Sequence, residues 1–332
     1  SREMAARRTN LGLLVALSLA LITGGTAFGV GSGWVRWVVL AHVVAGLAVV
    51  VLSPWKSVIV KRGFHRPRRG RTASAGFFVL VVGCLLSGVA HSTGFTDWGA
   101  VSAMQVHVGT ALASIPLLLW HVVARPARVY RTDVGRRALL RAAMISGASG
   151  MVYLAIESLS RLAALPGAGR RATGSHERGS FDPGAMPVTQ WLNDRVQSID
   201  PGSWALGVGA VEIGYDDLLS FDDVMTATID CTGGWYATQD WSGVRLDHLL
   251  GDVEGASIVV RSKTGYERRF PLTDASRLLL ATRAGGEPLS AGHGFPARLV
   301  APGRRGFWWV KWVTSIEVDN RPWWRQSPFP LT

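Results

Sequence analysis

The first half of the chain is cut into five apolar runs, at about 11–29, 35–53, 74–91, 101–123 and 142–159. Each approaches the roughly 20 residues that a helix needs to cross a bilayer core. No other feature constrains the fold as strongly. The alternative is a soluble helical bundle. Four more runs follow the first, so it is not read as a cleaved signal peptide. Residues 1–160 are therefore expected to form a transmembrane α-helical bundle of five helices.

The net charge of +12 alone would fit a nucleic-acid binder, but its distribution argues against one. Residues 1–160 hold four acids, Glu3, Asp97, Asp133 and Glu157, and their bases cluster between apolar runs. Arg2, Arg7 and Arg8 precede run one. Lys56, Lys61, Arg62, Arg66, Arg68, Arg69 and Arg71 lie between runs two and three. Arg125, Arg128, Arg131, Arg136 and Arg137 lie between runs four and five. The alternate connections carry only Arg36. The positive-inside rule then predicts a multi-pass cell-membrane protein with a cytoplasmic N-terminus and everything after run five outside. Lipid is the expected partner, and nucleic acid is not.

Residues 161–185, rich in Gly, Pro, Ser and charge, read as a linker. Beyond them, over 186–332, the pattern turns to short apolar stretches bounded by Gly, Pro and Asp, such as Ser257–Arg261, Ala297–Val300 and Trp308–Val318. That predicts a mainly β (α+β) domain with short helices near Tyr215–Leu219 and Arg245–Leu250.

Ionisable residues inside a membrane are costly and usually functional, which singles out His42, His107 and His121. A faint internal repeat relates them: His42-Val43 is followed by Trp55-Lys56, and His107-Val108 by Trp120-His121, at the same offset. His107 and His121 lie about four helical turns apart on one face, about 21 Å along the axis. This spacing resembles the ligand helix of di-haem b-type cytochromes, and the helical half is similar to a cytochrome b561-like haem domain. Imidazole is a common axial ligand of haem iron. His42 and His107 are matched in depth and are expected to hold one haem b near the outer surface, with His91 the second choice. A second, inner haem at His121 stays open, because its repeat partner is Lys56; His65 is the alternative ligand.

The chain has two cysteines. Cys84 lies in an apolar run. Cys231 stands in Asp230-Cys231-Thr232-Gly233-Gly234-Trp235, where flanking glycines allow close approach and a thiolate can bind a redox metal. This segment continues through Trp241-Ser242-Gly243-Val244-Arg245-Leu246 to Leu249-Leu250. It is followed by His293-Gly294-Phe295-Pro296-Ala297-Arg298 and by Val310-Lys311-Trp312. Over roughly 186–320 these motifs resemble the molybdopterin domain of the sulfite oxidase family, which includes the catalytic subunit of periplasmic methionine sulfoxide reductase. The resemblance implies a molybdenum–molybdopterin cofactor with Cys231 as the metal ligand and catalytic residue, and His293, Arg298 and Lys311 as cofactor-binding residues. Arg304 and Arg305 are read as an exposed basic turn, with help in binding the pterin phosphate as the alternative.

The resemblance also bears on export. Arg136-Arg137-Ala138-Leu139-Leu140-Arg141 precedes run five, which is rich in small residues, and looks like a twin-arginine signal. A pterin–metal domain assembled in the cytoplasm is expected to cross the membrane folded. The expected function is exchange of electrons between a small extracytoplasmic substrate and the quinone pool through haem. Gly234-Trp235-Tyr236 stands where sulfite-oxidising relatives carry arginines, which favours reduction of an S- or N-oxide. The alternatives are an oxidase feeding quinone, and a cofactor-free binding module on a membrane anchor. A further electron-transfer partner is also left open.

Overall fold

The computed structural model describes residues 2–31, 33–63, 70–124, 126, 129, 130, 133, 135–191 and 194–330. They fall into two compact units: Ser1–Ala27 with Gly33–His176, and Phe28–Ser32 with Glu177–Thr332.

The first unit is helical: α1 (Arg2–Gly29), α2 (Val35–Gly63), α3 (Arg71–Thr93), α4 (Ala103–Ala124) and α5 (Arg136–Leu162). All five are long and apolar enough to cross a membrane. Most outrun the apolar stretches that announced them. Arg and Lys are good helix formers, so α2 continues through Lys56 and Lys61, and α5 starts at Arg136. Large apolar side chains point outward on every helix, among them Ile22, Trp55, Phe78, Leu112 and Met151. Small residues such as Ala16, Ala48, Ser87 and Ser149 are buried. This inside-out pattern is the one by which helices pack in lipid, small residues letting backbones approach. The hydroxyls among them are satisfied within their own helix: Ser87 donates to Gly83 O at 2.6 Å, Thr110 to Val106 O at 2.7 Å and Ser149 to Ile145 O at 2.8 Å.

A short hairpin, β1 (Asp97–Trp98) and β2 (Val101–Ser102), joins α3 to α4. After α5 the chain does not run free. A 3-10 turn at Pro166–Gly169 packs on the end of α3, where Gly167 leaves no room for a Cβ against Ser92 O, and Arg170 pairs with Glu157. The first part of the segment expected as a linker thus belongs to the helical unit, and the division falls after His176.

The second unit is built on two sheets. One has the order β11 (Glu287–Pro288), β10 (Leu279–Ala284), β7 (Trp235–Arg245), β3 (His176–Glu177), with β12 (Arg298–Val300) on β10 and β6 (Asp223–Asp230) on β7. The other has the order β5 (Val211–Gly214), β4 (Ala205–Val208), β13 (Val313–Asp319), β8 (Ser257–Ser262), β9 (Glu267–Pro271). Burial alternates along β7, with Trp235, Ala237, Gln239 and Trp241 inside and Tyr236, Thr238 and Asp240 less buried, as the strand period requires. Leu279, Leu280, Leu299, Ile258, Phe270 and Ile316 complete the core. Short helices form at α6 (Tyr215–Leu218) and α7 (Leu246–Leu250), where they were expected. The stretch Trp308–Val318 is not one strand. A 3-10 turn ends at Trp308, Trp312 takes a φ of 51°, and β13 begins only at Val313.

Candidate functional site

Cys231 occupies the turn between β6 and β7. Its amide donates to Trp235 O at 2.8 Å, its carbonyl accepts from Gly234 N at 3.1 Å, and its Sγ accepts from Gly233 N at 3.3 Å. The sulfur lines a pocket with about 630 Å³ of space between atoms, open solvent at its mouth included. Trp191, Trp235, Tyr266, Phe307 and Trp309 wall it, and Thr189, Gln190, Asp194, His293, Arg298 and Lys311 supply its polar groups. Burial pushes the Cys231 thiol up from its ordinary value; the Gly233 amide and the nearby Arg305 and Lys311 charges pull the other way.

The segment from His293 to Lys311 brings the cations in. Gly294, at a φ of 108°, passes so close that a Cβ there would lie 3.0 Å from Arg298 Cβ and 3.1 Å from Lys311 Cβ. Only glycine suits both the φ and the space. Arg298 is 1% exposed, donates from Nη1 to His293 O at 3.1 Å, and stacks near Trp241 and Trp309. Its Nε finds no acceptor in the protein. Burial lowers its pKa to about 10. Lys311 donates to Gly292 O at 2.6 Å, Thr189 O at 2.9 Å and Gln190 Oε1 at 3.4 Å; burial first, then the Arg298 charge, lower its pKa to about 7. His293 is held at both ring nitrogens: Nε2 donates to Met186 O at 3.0 Å, and Nδ1 accepts from Ser290 Oγ at 2.8 Å. Burial, then the Arg298 and Lys311 charges, drop its pKa to about 4. This histidine is neutral and shapes the wall, and its ring nitrogens are already committed within the protein.

Residues 193–327 match the family model described as "Oxidoreductase molybdopterin binding domain". An uncharacterised oxidoreductase, YuiH, of Bacillus subtilis (strain 168) is 31% identical over 150 residues, which cover 40% of this chain and 75% of that protein. The chain belongs to the molybdopterin-binding oxidoreductase family. Mitochondrial sulfite oxidase of Rattus norvegicus is 29% identical over 168 residues, 38% of this chain and 31% of that protein. The chain thus spans about a third of the length of that relative. A solved structure, the sulfane dehydrogenase SoxCD of Paracoccus pantotrophus, aligns with a TM-score of 0.36 and 27% identity over 38% of this chain and 40% of that one.

The molybdopterin-binding domain offers a fit for its cofactor. A buried guanidinium and a buried ammonium, with no carboxylate bonded to either among the described contacts, face the same pocket as the thiol. Buried charge left unpaired is costly, and an anionic pterin phosphate is the partner that would repay it. In the same pocket Cys231 supplies one soft sulfur, a donor that would suit the cofactor's metal.

The helical unit brings two of its expected histidines together. The rings of His42 on α2 and His107 on α4 lie with centroids 5.8 Å apart at 89°. His42 Nδ1 donates to Ala20 O at 2.9 Å and His107 Nδ1 to Cys84 O at 2.8 Å. Those bonds fix the tautomer and leave both Nε2 atoms as electron-pair donors, as a metal-binding imidazole requires. The repeat extends to the supports. Gly24 of α1 backs His42 and Gly88 of α3 backs His107, a Cβ at either coming within 3.0 Å of the ring.

The remaining histidines are placed differently. His91 Nε2 is bonded to Gly174 O at 3.0 Å, and its carbonyl accepts from His176 Nε2 at 2.7 Å. It fastens the end of α3 to the segment after α5, and is not paired with His107. His121 stacks on Phe77 with centroids 5.9 Å apart. Its repeat partner Lys56 is bonded to Asn10 Oδ1 at 2.8 Å. His65 lies outside the described residues. Arg136 and Arg137 are exposed in the first turn of α5.

The expectation of an exposed basic turn at Arg304 and Arg305 needs correction. Arg304 pairs with Asp274 and stays partly exposed, but Arg305 is 3% exposed and paired with buried Asp230, directly behind Cys231. The isolated β-bridge between Asp230 and Arg305 forces this. Thr189, Gln190, Asp194 and Tyr266 were also missed. They reach the pocket from loops with no motif of their own.

Proposed function

We propose that this oxidoreductase is a membrane-anchored molybdenum enzyme that reduces a small extracytoplasmic S- or N-oxide with electrons drawn from quinol through haem b. The observation that carries the reading is the sorting of charge in the Cys231 pocket. Arg298 and Lys311 are the cations of its lining, and both lie on the segment assigned to the pterin. The rest of the lining is aromatic or neutral apart from Asp194. A lining without further cations suits an uncharged oxide better than an oxyanion.

When bound, the molybdenum–pterin group supplies two-electron oxygen-atom exchange with the substrate. The chain does the rest. Cys231 holds the metal through a strongly donating sulfur. Arg298 neutralises the pterin phosphate, and Lys311 adds charge while its three bonds fix the loop at 189–190 and the 292 carbonyl. Trp191, Trp235 and Trp309 exclude water around the substrate. Oxide reduction consumes two protons with the two electrons. Asp194 is the carboxyl of the lining; burial raises its pKa from the ordinary value, against the pull of Thr264 and Lys311. It is placed to hold and pass a proton at its carboxylate.

In the helical unit His42 and His107 hold the haem, one per chain. Lys56, committed to Asn10, replaces the ligand a second haem would need. The five helices anchor the protein in a bacterial cell membrane with the N-terminus inside. The twin arginine at Arg136 and Arg137 sends the second unit across already folded.

Stopped-flow mixing tests the direction of electron flow. Reduction of the haem by quinol, and its reoxidation by a sulfoxide or amine oxide, supports the proposal. Haem reduction by sulfite would favour an oxidase feeding quinone, a reading favoured by the kinship with sulfite oxidases. Purified protein without molybdenum or pterin would favour a binding module instead.

A further inference from the structure

We infer that the buried Asp230–Arg305 pair is a positioning device that sets the direction and donor strength of the Cys231 sulfur. The inference rests on reading Cys231 as the metal ligand. Arg305 uses the two ends of its fork on two neighbours in sequence: Nη1 donates to the Asp230 carboxylate, and Nη2 to Cys231 O at 3.2 Å. Both side chains are buried, at 4% and 7% exposure. A guanidinium is planar and rigid, so one group fixes the separation of the two acceptors.

The backbone reinforces this clamp. Asp230 and Arg305 form a parallel bridge, and a Cβ on Gly306 would fall 3.0 Å from Cys231 Cα. The Cys231 carbonyl is therefore gripped from two directions, by Arg305 and by Gly234 N, while Gly233 N points at Sγ. With the carbonyl fixed, the remaining freedom of Cys231 is one side-chain torsion, and the Gly233 bond selects its value. Arg305 also lies on the segment that carries Lys311, so the sulfur is referenced to that segment rather than to its own hairpin alone.

A stability role is the competing explanation. Buried ion pairs are a poor source of stability and are often replaceable by apolar residues. Arg304, one residue away, makes the ordinary surface pair with Asp274 instead. A buried pair set directly behind a metal-ligating sulfur matches what outer partners of metal ligands do, which is to orient the ligand and tune its basicity.

The test uses Arg305→Met, Arg305→Lys and the double variant Asp230→Leu/Arg305→Met in the full chain. In the loaded enzyme, Arg305→Met is expected to keep molybdenum and pterin, lower kcat by about 10–100-fold with KM little changed, and shift the Mo(V) electron paramagnetic resonance g values. Arg305→Lys is expected to keep the fold and a shifted signal, because one ammonium cannot span both acceptors. In protein grown without molybdate, the alkylation rate of Cys231 is expected to change in Arg305→Met. The double variant, which leaves no buried charge unpaired, is expected to fold and still show the altered spectrum and alkylation rate. A folded double variant with wild-type spectrum, kcat and alkylation rate overturns the inference. A wild-type Mo(V) signal that survives Cys231→Ser unchanged overturns the ligand reading instead, and the alkylation comparison then still decides the role of Arg305.

Discussion

The two units hold their key residues by opposite means. In the helical unit each histidine is fixed by its neighbouring helix: His42 by Ala20 and Gly24, His107 by Cys84 and Gly88, at separations of 22 and 23 residues for the two hydrogen bonds. The same small device is used twice and involves no charge. In the sheet unit the supports come from far along the chain. Arg305 reaches Cys231 across 74 residues, His293 reaches Met186 across 107, and Lys311 reaches Thr189 across 122. That unit also buries cations, which a bilayer-facing helix can rarely do. The contrast separates two neutral, similarly held imidazoles from a pocket that gathers buried cations beside a thiol.

Cys231→Ser should break the second site alone. Turnover is expected to vanish while the haem spectrum keeps its wild-type position and intensity. Retained turnover would sink the ligand assignment. His107→Ala and His42→Ala are the mirror experiment. Each should remove the haem, measured as pyridine haemochrome, and leave the molybdenum content of the protein unchanged. A full haem complement in His42→Ala would move the ligand assignment to another residue.

The contrast also explains what was legible in the sequence. Helix length and polarity are local properties, so the five apolar runs foretold α1 to α5, and a repeat visible in two His-Val pairs foretold that His42 and His107 would meet. Asn10 and its bond to Lys56 were not foreseen, because nothing in a run of residues shows which side chain a lysine will reach. In the sheet unit the motifs around Cys231 and His293 announced the fold and the cofactor class. The burial of Arg305 was missed, because Arg304-Arg305 next to a glycine reads as a turn. Only the bridge to Asp230, a contact of high sequence separation, turns one of the two arginines inward.

A smaller effect should follow from the export signal. Arg136→Lys with Arg137→Lys keeps the positive charge, so the positive-inside bias is unchanged. If the guanidinium pair is recognised as such, the second unit should stay inside, and protease added to spheroplasts should spare it while digesting the wild-type domain. Equal digestion would reduce the pair to a topology signal. Smaller again, Gly24→Ala and Gly88→Ala should displace the His42 and His107 rings by a few tenths of an ångström. The expected readout is a changed haem electron paramagnetic resonance spectrum with the haem retained. Because the two supports match, the two variants should give similar shifts; a response from only one would break the repeat.

The smallest expected effect is a dependence of the sheet unit's stability on pH, and it separates the two units because this one buries cations at its site. His293 has a pKa of about 4 in the folded chain, against about 6.5 for an unperturbed histidine. Between these values the unfolded chain binds a proton that the native chain does not, so stability rises with pH. The contribution is complete above about 6.5 and is lost as pH falls toward 4. Lys311, at about 7 in the folded chain against about 10.4 unperturbed, has the same sign in a higher window. In protein grown without molybdate, stability should climb again from about pH 7 upward, by at most about 1.4 kcal/mol per pH unit for one proton. Urea unfolding followed by the near-ultraviolet circular dichroism of the tryptophans can read both limbs. Lys311→Met should flatten the upper limb and leave the lower one. Loading the cofactor should flatten the upper limb too, because an anion beside Arg298 and Lys311 raises the lysine's pKa toward its ordinary value. An upper limb that persists unchanged in Lys311→Met would show that the ammonium is not desolvated as the geometry requires, and would remove the main argument that this pocket is built to neutralise an anion.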